Sequence, residues 1–120
     1  MNEAQWQGLV FDFMRVYGWR VAHFGALTVT RDGAPRTITP VHADGAGFPD
    51  LVAVHDRHEA IVFAELKSES GRVKPNQRAW SDALLAASIE SRNVFVFVLR
   101  PRDEAWLRVF LQDPHGAPGR

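Results

Sequence analysis

Residues 47–77 read GFPDLVAVHDRHEAIVFAELKSESGRVKPNQ, and the fold turns on how the two apolar runs inside this stretch pair. DLVAVH (50–55) and AIVFAEL (60–66) have strand length, are rich in β-branched residues and are separated by DRHE, which predicts an antiparallel hairpin. Both runs are apolar at odd and even positions, the pattern of central strands with both faces covered. Yet Asp50 and Glu65 lie within them, and Lys67 follows directly. Charges withdrawn from water are costly unless they are paired or bind a metal, so packing alone gives no reason to place them there.

A hairpin centred between Arg57 and His58 sets Val54 opposite Ile61, Val52 opposite Phe63 and Asp50 opposite Glu65, all on one face, with Lys67 on that face too. Directly opposed residues have Cβ atoms roughly 4.5–5.5 Å apart, and two carboxylates at about 5 Å repel by roughly 3 kcal/mol at an effective dielectric of 20. A divalent cation reverses that sign. Magnesium is held by one or two carboxylates, with waters and substrate phosphates completing its shell, and it can activate water and stabilise a leaving oxygen. Lys67 adds a compact positive charge suited to a phosphate, or a base if its pKa is lowered. These are the parts for metal-assisted phosphodiester hydrolysis. The other reading of the same residues is an ion pair between Glu65 and Lys67, with Asp50 capping a turn; register and spacing leave both open.

Outward from this hairpin, Trp6, Leu9, Val10, Phe13, Met14 and Tyr17 form the apolar stripe of a helix opened by Asn2 and ended near Gly18, with Glu3 one turn before Trp6 on the same stripe. WRVAHF (19–24) is a short strand, and LTVTRDGAPRTITPV (27–41) alternates around an Asp32-Gly33 turn as a two-stranded hairpin. HADGAGFP (42–49) and SESGRVK (68–74) read as loops. Pro75 suits the first turn of a second helix, whose expected buried stripe is Trp80, Ala83, Leu84 and Ala87, with Gln77 one turn earlier. NVFVFVL (93–99) is a further strand, and Glu104–Leu111 a closing helix. The order predicts an α/β (α+β sandwich) fold with a mixed sheet, in one domain over 1–112 with a flexible C-terminal tail over 113–120.

The 120 residues carry 14 basic and 14 acidic side chains, for a formal net charge of zero, so no global basic field marks a nucleic-acid coat protein and polyanion contact must be local. Arg72, Lys74 and Arg78 form such a local cluster beside the proposed site. A solvated loop accounts for them, and so do phosphate contacts. The chain has no cysteine, which excludes disulfides and thiolate metal sites. Charges at Glu3, Asp12, Arg15 and Arg20 break up any signal-peptide core, and no run reaches membrane-spanning length; a cytoplasmic location, in a bacterial host or phage-infected cell, is the expectation. Gly45-Ala46-Gly47 lacks the strand-before-helix setting of a dinucleotide fingerprint. His55 and His58 are expected to be solvated turn residues, since two further zinc ligands are not near them.

Asp50 followed by Glu65-Leu66-Lys67 resembles the PD-(D/E)xK nuclease signature, with its proline present as Pro49. The wider set, Gly47-Phe48-Pro49-Asp50-Leu51, Phe63-Ala64-Glu65-Leu66-Lys67 and Lys74-Pro75-x-Gln77 with Trp80 following, is similar to the VRR-NUC family of those nucleases in its compact stand-alone phage and bacterial form. The resemblance runs from Glu3 to about Phe110. It implies a restriction-endonuclease-like mixed sheet flanked by helices, like that of Holliday junction resolvases. It also implies Asp50, Glu65 and the Leu66 carbonyl as Mg2+ ligands, with Mn2+ able to substitute, and Lys67 as the residue that orients the attacked phosphate. Glu3 and Gln77 match the family's helix-borne acidic and glutamine positions.

The activity so implied is a metal-dependent DNA endonuclease selective for branched DNA or Holliday junctions and acting as a homodimer, alone or with a helicase or recombinase partner. The alternative is a non-catalytic DNA-binding or phage interaction protein that retains the fold. The hairpin at 27–41 is longer than the compact pattern needs, and its Arg31 and Arg36 are candidates for DNA or dimer contacts.

Overall fold

The computed structural model describes residues 1–24, 27–31, 33–38 and 46–120. Helix α1 (Glu3–Val16) leads into strand β1 (Arg20–His23), then β2 (Leu27–Arg31), β3 (Ala34–Ile38), β4 (Leu51–His55) and β5 (Ala60–Leu66); α2 (Pro75–Ala87), β6 (Val94–Leu99), a 3-10 turn (Pro101–Asp103) and α3 (Glu104–Gln112) complete the chain. Four strands form one sheet in the order β1-β4-β5-β6, and β2 and β3 form a separate pair. β1, β4 and β5 are antiparallel neighbours, whereas β5 and β6 run parallel, joined by the helical crossover that a parallel pair requires. This is the mixed-sheet α/β fold expected, with its extra hairpin. The expected Asp32 turn position, the end of that hairpin at 39–41, the loop start at 42–45, and the side chains of Arg31 and Arg36 lie outside the described residues.

Each helix forms for a local reason. Asn2 caps α1, accepting from the Gln5 N–H while the Gln5 side chain accepts from the Asn2 N–H, a reciprocal capping box. The helix ends at Gly18, whose φ of +87° suits the left-handed position after a helix C-terminus. Pro75 opens α2 with its fixed φ and no orphan N–H.

One face of the sheet is the core. Leu51, Ala53, Val62, Ala64, Leu66 and Leu99 are fully buried there together with Trp6, Val10 and Met14 of α1 and Leu107, Phe110 and Leu111 of α3. Two indoles tie this layer down: Trp6 Nε1 donates to the Leu99 carbonyl at 2.9 Å and Trp19 Nε1 to the Leu111 carbonyl at 2.9 Å, so neither buried N–H is left without a partner. The opposite face carries Val52, Phe63 and Glu65 and receives α2, which covers only part of it. Val54 is 41% exposed, so β4 and β5 are not equally enclosed on both faces as their even apolar content suggested.

Three further expectations are corrected. The buried line of α2 is not Trp80, Ala83, Leu84 and Ala87: Ser81 is its one buried residue among those described, Gln77, Trp80 and Leu84 are half-buried, and Ala83 and Ala87 are exposed. The helix is rotated so that Gln77 faces Glu65, and the small Ser81 one turn on permits that close seat. Glu3 is exposed, because the first turn of α1 lies past the packed stripe that begins at Trp6. His55 is buried instead of solvated: its Nδ1 accepts from the His58 N–H at 3.2 Å, its Nε2 lies 3.2 Å from the Tyr17 carbonyl, and the Trp19 ring abuts it edge-on. Residues 113–120 run back along β6. There Pro114 is buried, Trp106 Nε1 donates to the Pro118 carbonyl at 2.7 Å and Arg120 lies over the Phe97 and Trp106 rings.

Gly47 fixes how α2 meets the strand that carries Asp50. Its φ is +104°, and a Cβ there would stand 2.5 Å from the Asn76 carbonyl carbon and 2.7 Å from the Gln77 nitrogen, backbone that cannot yield without moving the helix. Next to it, Phe48 packs edge-on to Phe24, Phe63 and Trp80. Gly47→Ala is expected to lower stability by about 1–3 kcal/mol through strain and displacement. Gly8→Ala, with nothing within 4 Å of the added carbon, should raise it by about 1 kcal/mol as an exposed mid-helix change. Urea titrations of the two variants against the parent protein check both signs.

Candidate active site

The β4–β5 register pairs Val54 with Ile61, Val52 with Phe63 and Leu51 with Ala64, as the four-residue turn predicted. Asp56, Arg57, His58 and Glu59 make that turn, closed by the Glu59 N–H donating to the Asp56 carbonyl and by Glu59 at a φ of +51°. Continued one step, the ladder brings Asp50 level with Glu65. At that step the backbone pairing stops and a side chain takes over: Asp50 Oδ2 accepts the Leu66 N–H at 2.7 Å, a charge-assisted bond that locks the carboxylate across the strand end. The Asp50 carbonyl meanwhile accepts the Phe24 N–H at 2.8 Å, fixing the chain on its other side.

Glu65 is 2% exposed. Its Oε1 accepts from Gln77 Nε2 at 3.0 Å and lies 3.9 Å from Lys67 Nζ, an ion-pair distance too long for a hydrogen bond. Oε2 is buried without a hydrogen-bond partner. Burial, then the charge of Asp50, push the Glu65 carboxyl up from its ordinary 4.5 to about 8; Lys67 opposes this in part, and Glu3 adds a small increment. Glu65 therefore holds a proton at neutral pH in the metal-free protein, and the pair Asp50/Glu65 carries one negative charge where two would repel.

Gln77 is oriented from its own helix. Its Oε1 accepts the Lys74 N–H at 2.9 Å, satisfying an orphan donor at the start of α2, and this turns the amide NH2 towards Glu65. Lys67 is buried, and its N–H donates to the Leu99 carbonyl at 3.0 Å, the same oxygen that Trp6 engages. Asp50, Glu65, Lys67 and Gln77 thus converge at the ends of β4 and β5, with Glu3 close enough to act on Glu65 electrostatically. Arg72, Lys74 and Arg78 are exposed around the start of α2. Among the described residues no group of three or more His, Asp or Glu side chains is gathered tightly enough to hold a metal, so a cation here would take two carboxylates and fill its shell from backbone, water and substrate.

Two residues important to this geometry were given no structural role from the sequence. Gly47 has a recognisable signal in the glycine before Phe48-Pro49-Asp50. Arg100, whose Nη1 donates to the carbonyls of Ser68 at 2.6 Å and Gly71 at 2.7 Å, holds the loop that leaves Lys67, and nothing in its sequence neighbourhood marks it.

Comparison with curated proteins and with solved structures returned no match. Comparison with protein families matched the VRR-NUC domain over residues 29–103, more than half of the chain. That span contains Asp50, Glu65, Lys67 and Gln77, the residues that meet at the strand ends, and begins after Glu3. The chain belongs to the VRR-NUC domain family, a family of nucleases.

Proposed function

We propose that this protein is a Mg2+-dependent DNA endonuclease that hydrolyses phosphodiester bonds, selects branched DNA such as a Holliday junction, and works as a homodimer. The observation that carries the reading is the buried, partnerless Glu65 Oε2 beside Asp50: an arrangement that costs stability in the free protein and that a hard cation would relieve. The donors fit magnesium, being all oxygen, with Asp50 and Glu65 as the carboxylates. The N–H and C=O of a strand residue open to the same edge, so the Leu66 carbonyl shares the edge on which its N–H meets Asp50. When bound, the ion would supply Lewis-acid stabilisation of the phosphate oxygens and activation of water.

The chain's own residues do the rest. Asp50 is held by the Leu66 N–H and keeps its second oxygen for a ligand. Glu65 must release its proton before it can act as an anionic ligand, and Gln77 orients the carboxylate through Oε1. Lys67 places a positive charge beside Glu65, where it can neutralise a phosphate oxygen as charge develops. Glu3 adds negative potential from α1. Arg72, Lys74 and Arg78 contact flanking phosphates, which supplies local attraction on a chain of zero net charge. A four-way junction offers two symmetric strands to a chain with one such site, which favours a two-fold dimer.

Alanine variants of Asp50, Glu65 and Lys67 should stay folded yet lose cleavage of branched DNA in Mg2+ by orders of magnitude; near-normal cleavage by Glu65→Ala would sink the catalytic assignment. A panel of branched and linear DNAs assayed with Mg2+, Mn2+ and EDTA reads substrate and metal together, and DNA binding without cleavage under every condition would favour a non-catalytic role. Light scattering should find a dimer, free or on a junction.

The pH dependence has a definite sign. Because the folded-state pKa of Glu65 is raised from 4.5 to about 8, its protonation stabilises the folded state fully below about 4.5, and that contribution is lost as pH rises through about 8. In EDTA the melting temperature should therefore fall by several degrees between pH 5 and pH 8.5, and Glu65→Gln should flatten the fall. At pH 8, Mn2+ should raise the melting temperature of the parent by mass action and that of Asp50→Asn much less. Equal metal responses in the two would remove Asp50 from the site.

A further inference from the structure

Arg100 lies beside Lys67. The parallel ladder pairs Glu65 with Val98 and Leu66 with Leu99, and Arg100 continues in extended conformation, with φ −123° and ψ 161°. The next step of the ladder therefore sets Arg100 level with Lys67, about 4.8 Å away between strands, and alternation puts both side chains on the face that carries Glu65. The Lys67 N–H to Leu99 carbonyl bond at 3.0 Å confirms that the strands are still paired at this point.

The guanidinium of Arg100 is held in an unusual way. All its hydrogen bonds run through Nη1, to the carbonyls of Ser68 at 2.6 Å, Gly71 at 2.7 Å and, more weakly, Glu69 at 3.4 Å. Its Nε and Nη2 have no protein partner among the described residues, and it forms no ion pair with any of them. The nearby acids are otherwise engaged: Asp103 accepts the Arg100 backbone N–H and pairs with Arg120, while Glu69 pairs with Arg102. A guanidinium has five N–H donors in a fixed fork that matches phosphate oxygens, and here one end of the fork is anchored while three donors remain. A residue serving only to hold the loop would need neither the uncompensated charge nor the open end.

We propose that Arg100 is a DNA-contacting residue that binds a backbone phosphate neighbouring the one at Lys67, its fork pre-oriented by the Ser68 and Gly71 carbonyls. The assignment rests on the nuclease reading above. It extends the cationic surface from the start of α2 to the end of β6, so that the bound strand is gripped on both sides of Lys67. Pre-orientation lowers the ordering cost of the contact.

The test is the salt dependence of binding, measured by fluorescence anisotropy of a labelled four-way junction in EDTA, where cleavage is suppressed. Each neutralised phosphate contributes about 0.9 to the slope of log K against log salt on duplex DNA. Arg100→Gln, which keeps an N–H donor for the loop but no charge, should bind several-fold more weakly at low salt, with a slope shallower by about that amount. Arg100→Lys should keep the parental slope. Glu69→Gln, which loosens the same loop without removing a cation, should give a slope no shallower than the parent. An unchanged slope in Arg100→Gln overturns the proposal while leaving the nuclease reading intact. A slope as shallow in Glu69→Gln would assign the effect to loop order and overturn it too. If Arg100→Gln fails to fold, a lost slope in folded Arg100→Lys still does so. A parent protein with no salt-dependent binding of DNA would bring down the nuclease reading as well.

Discussion

The bond from the Leu66 N–H to Asp50 Oδ2 is the point on which the site depends. It stands where the β4–β5 backbone ladder ends, so one carboxylate both terminates the sheet and faces Glu65. A slip of β4 by one residue in this register would send Asp50 to the opposite side of the sheet from Glu65 and Lys67, while also turning Leu51 and Ala53 out of the core. The apolar pattern and the site are thus enforced by the same pairing. Because the hydrophobic penalty for a slip is large, the protein can hold two acidic groups close together without relying on them for its fold.

Around that bond the structure accepts local disadvantages that serve the site. Glu65 is sealed away with one oxygen unpartnered, Gly47 gives up a side chain so that α2 can approach, and α2 buries the polar Ser81 against the sheet. Each makes sense once Gln77 must reach Glu65. The core layer between α1, α3 and the far side of the sheet is, by contrast, almost wholly apolar. Stability is concentrated on one face and chemistry on the other, and the four-stranded sheet is the partition between them.

The division explains what could be read from the sequence. Strand runs, their turn and the Val52–Phe63 and Val54–Ile61 pairs followed from period-two alternation and the length of DRHE, which are local. The α1 stripe at Trp6, Val10 and Met14 followed from helical spacing, also local. The rotation of α2 did not, since its apolar residues suggested one stripe while a single polar contact from Gln77 selected another. His55 was misread because its burial depends on Gly18, Trp19 and the Tyr17 carbonyl, brought in by α1 and β1 from far along the chain. Arg100 was invisible for the same reason: its partners are carbonyl oxygens, which carry no sequence identity. The convergence of Asp50, Glu65 and Lys67 was legible because all three are placed by strand register, whereas the arrival of Gln77 at Glu65 depends on the rotation of α2.

The tail beside β6 bears on how the sheet meets other chains. An outer strand offers unpaired backbone groups to any extended segment that comes near. On β6 the Leu99 carbonyl points inward to Lys67, so the Val98 carbonyl points outward, and it is taken by Arg120 Nη1 at 2.8 Å. The guanidinium then sits over the Phe97 and Trp106 rings, leaving a bulky charged cover where another strand would have to begin. At the other margin β1 opens with the exposed Arg20, a charge of the kind that discourages strand addition. Sheet extension is thereby obstructed at the end of β6 that adjoins the carboxylates, and an incoming chain meets side chains there instead of a free backbone edge.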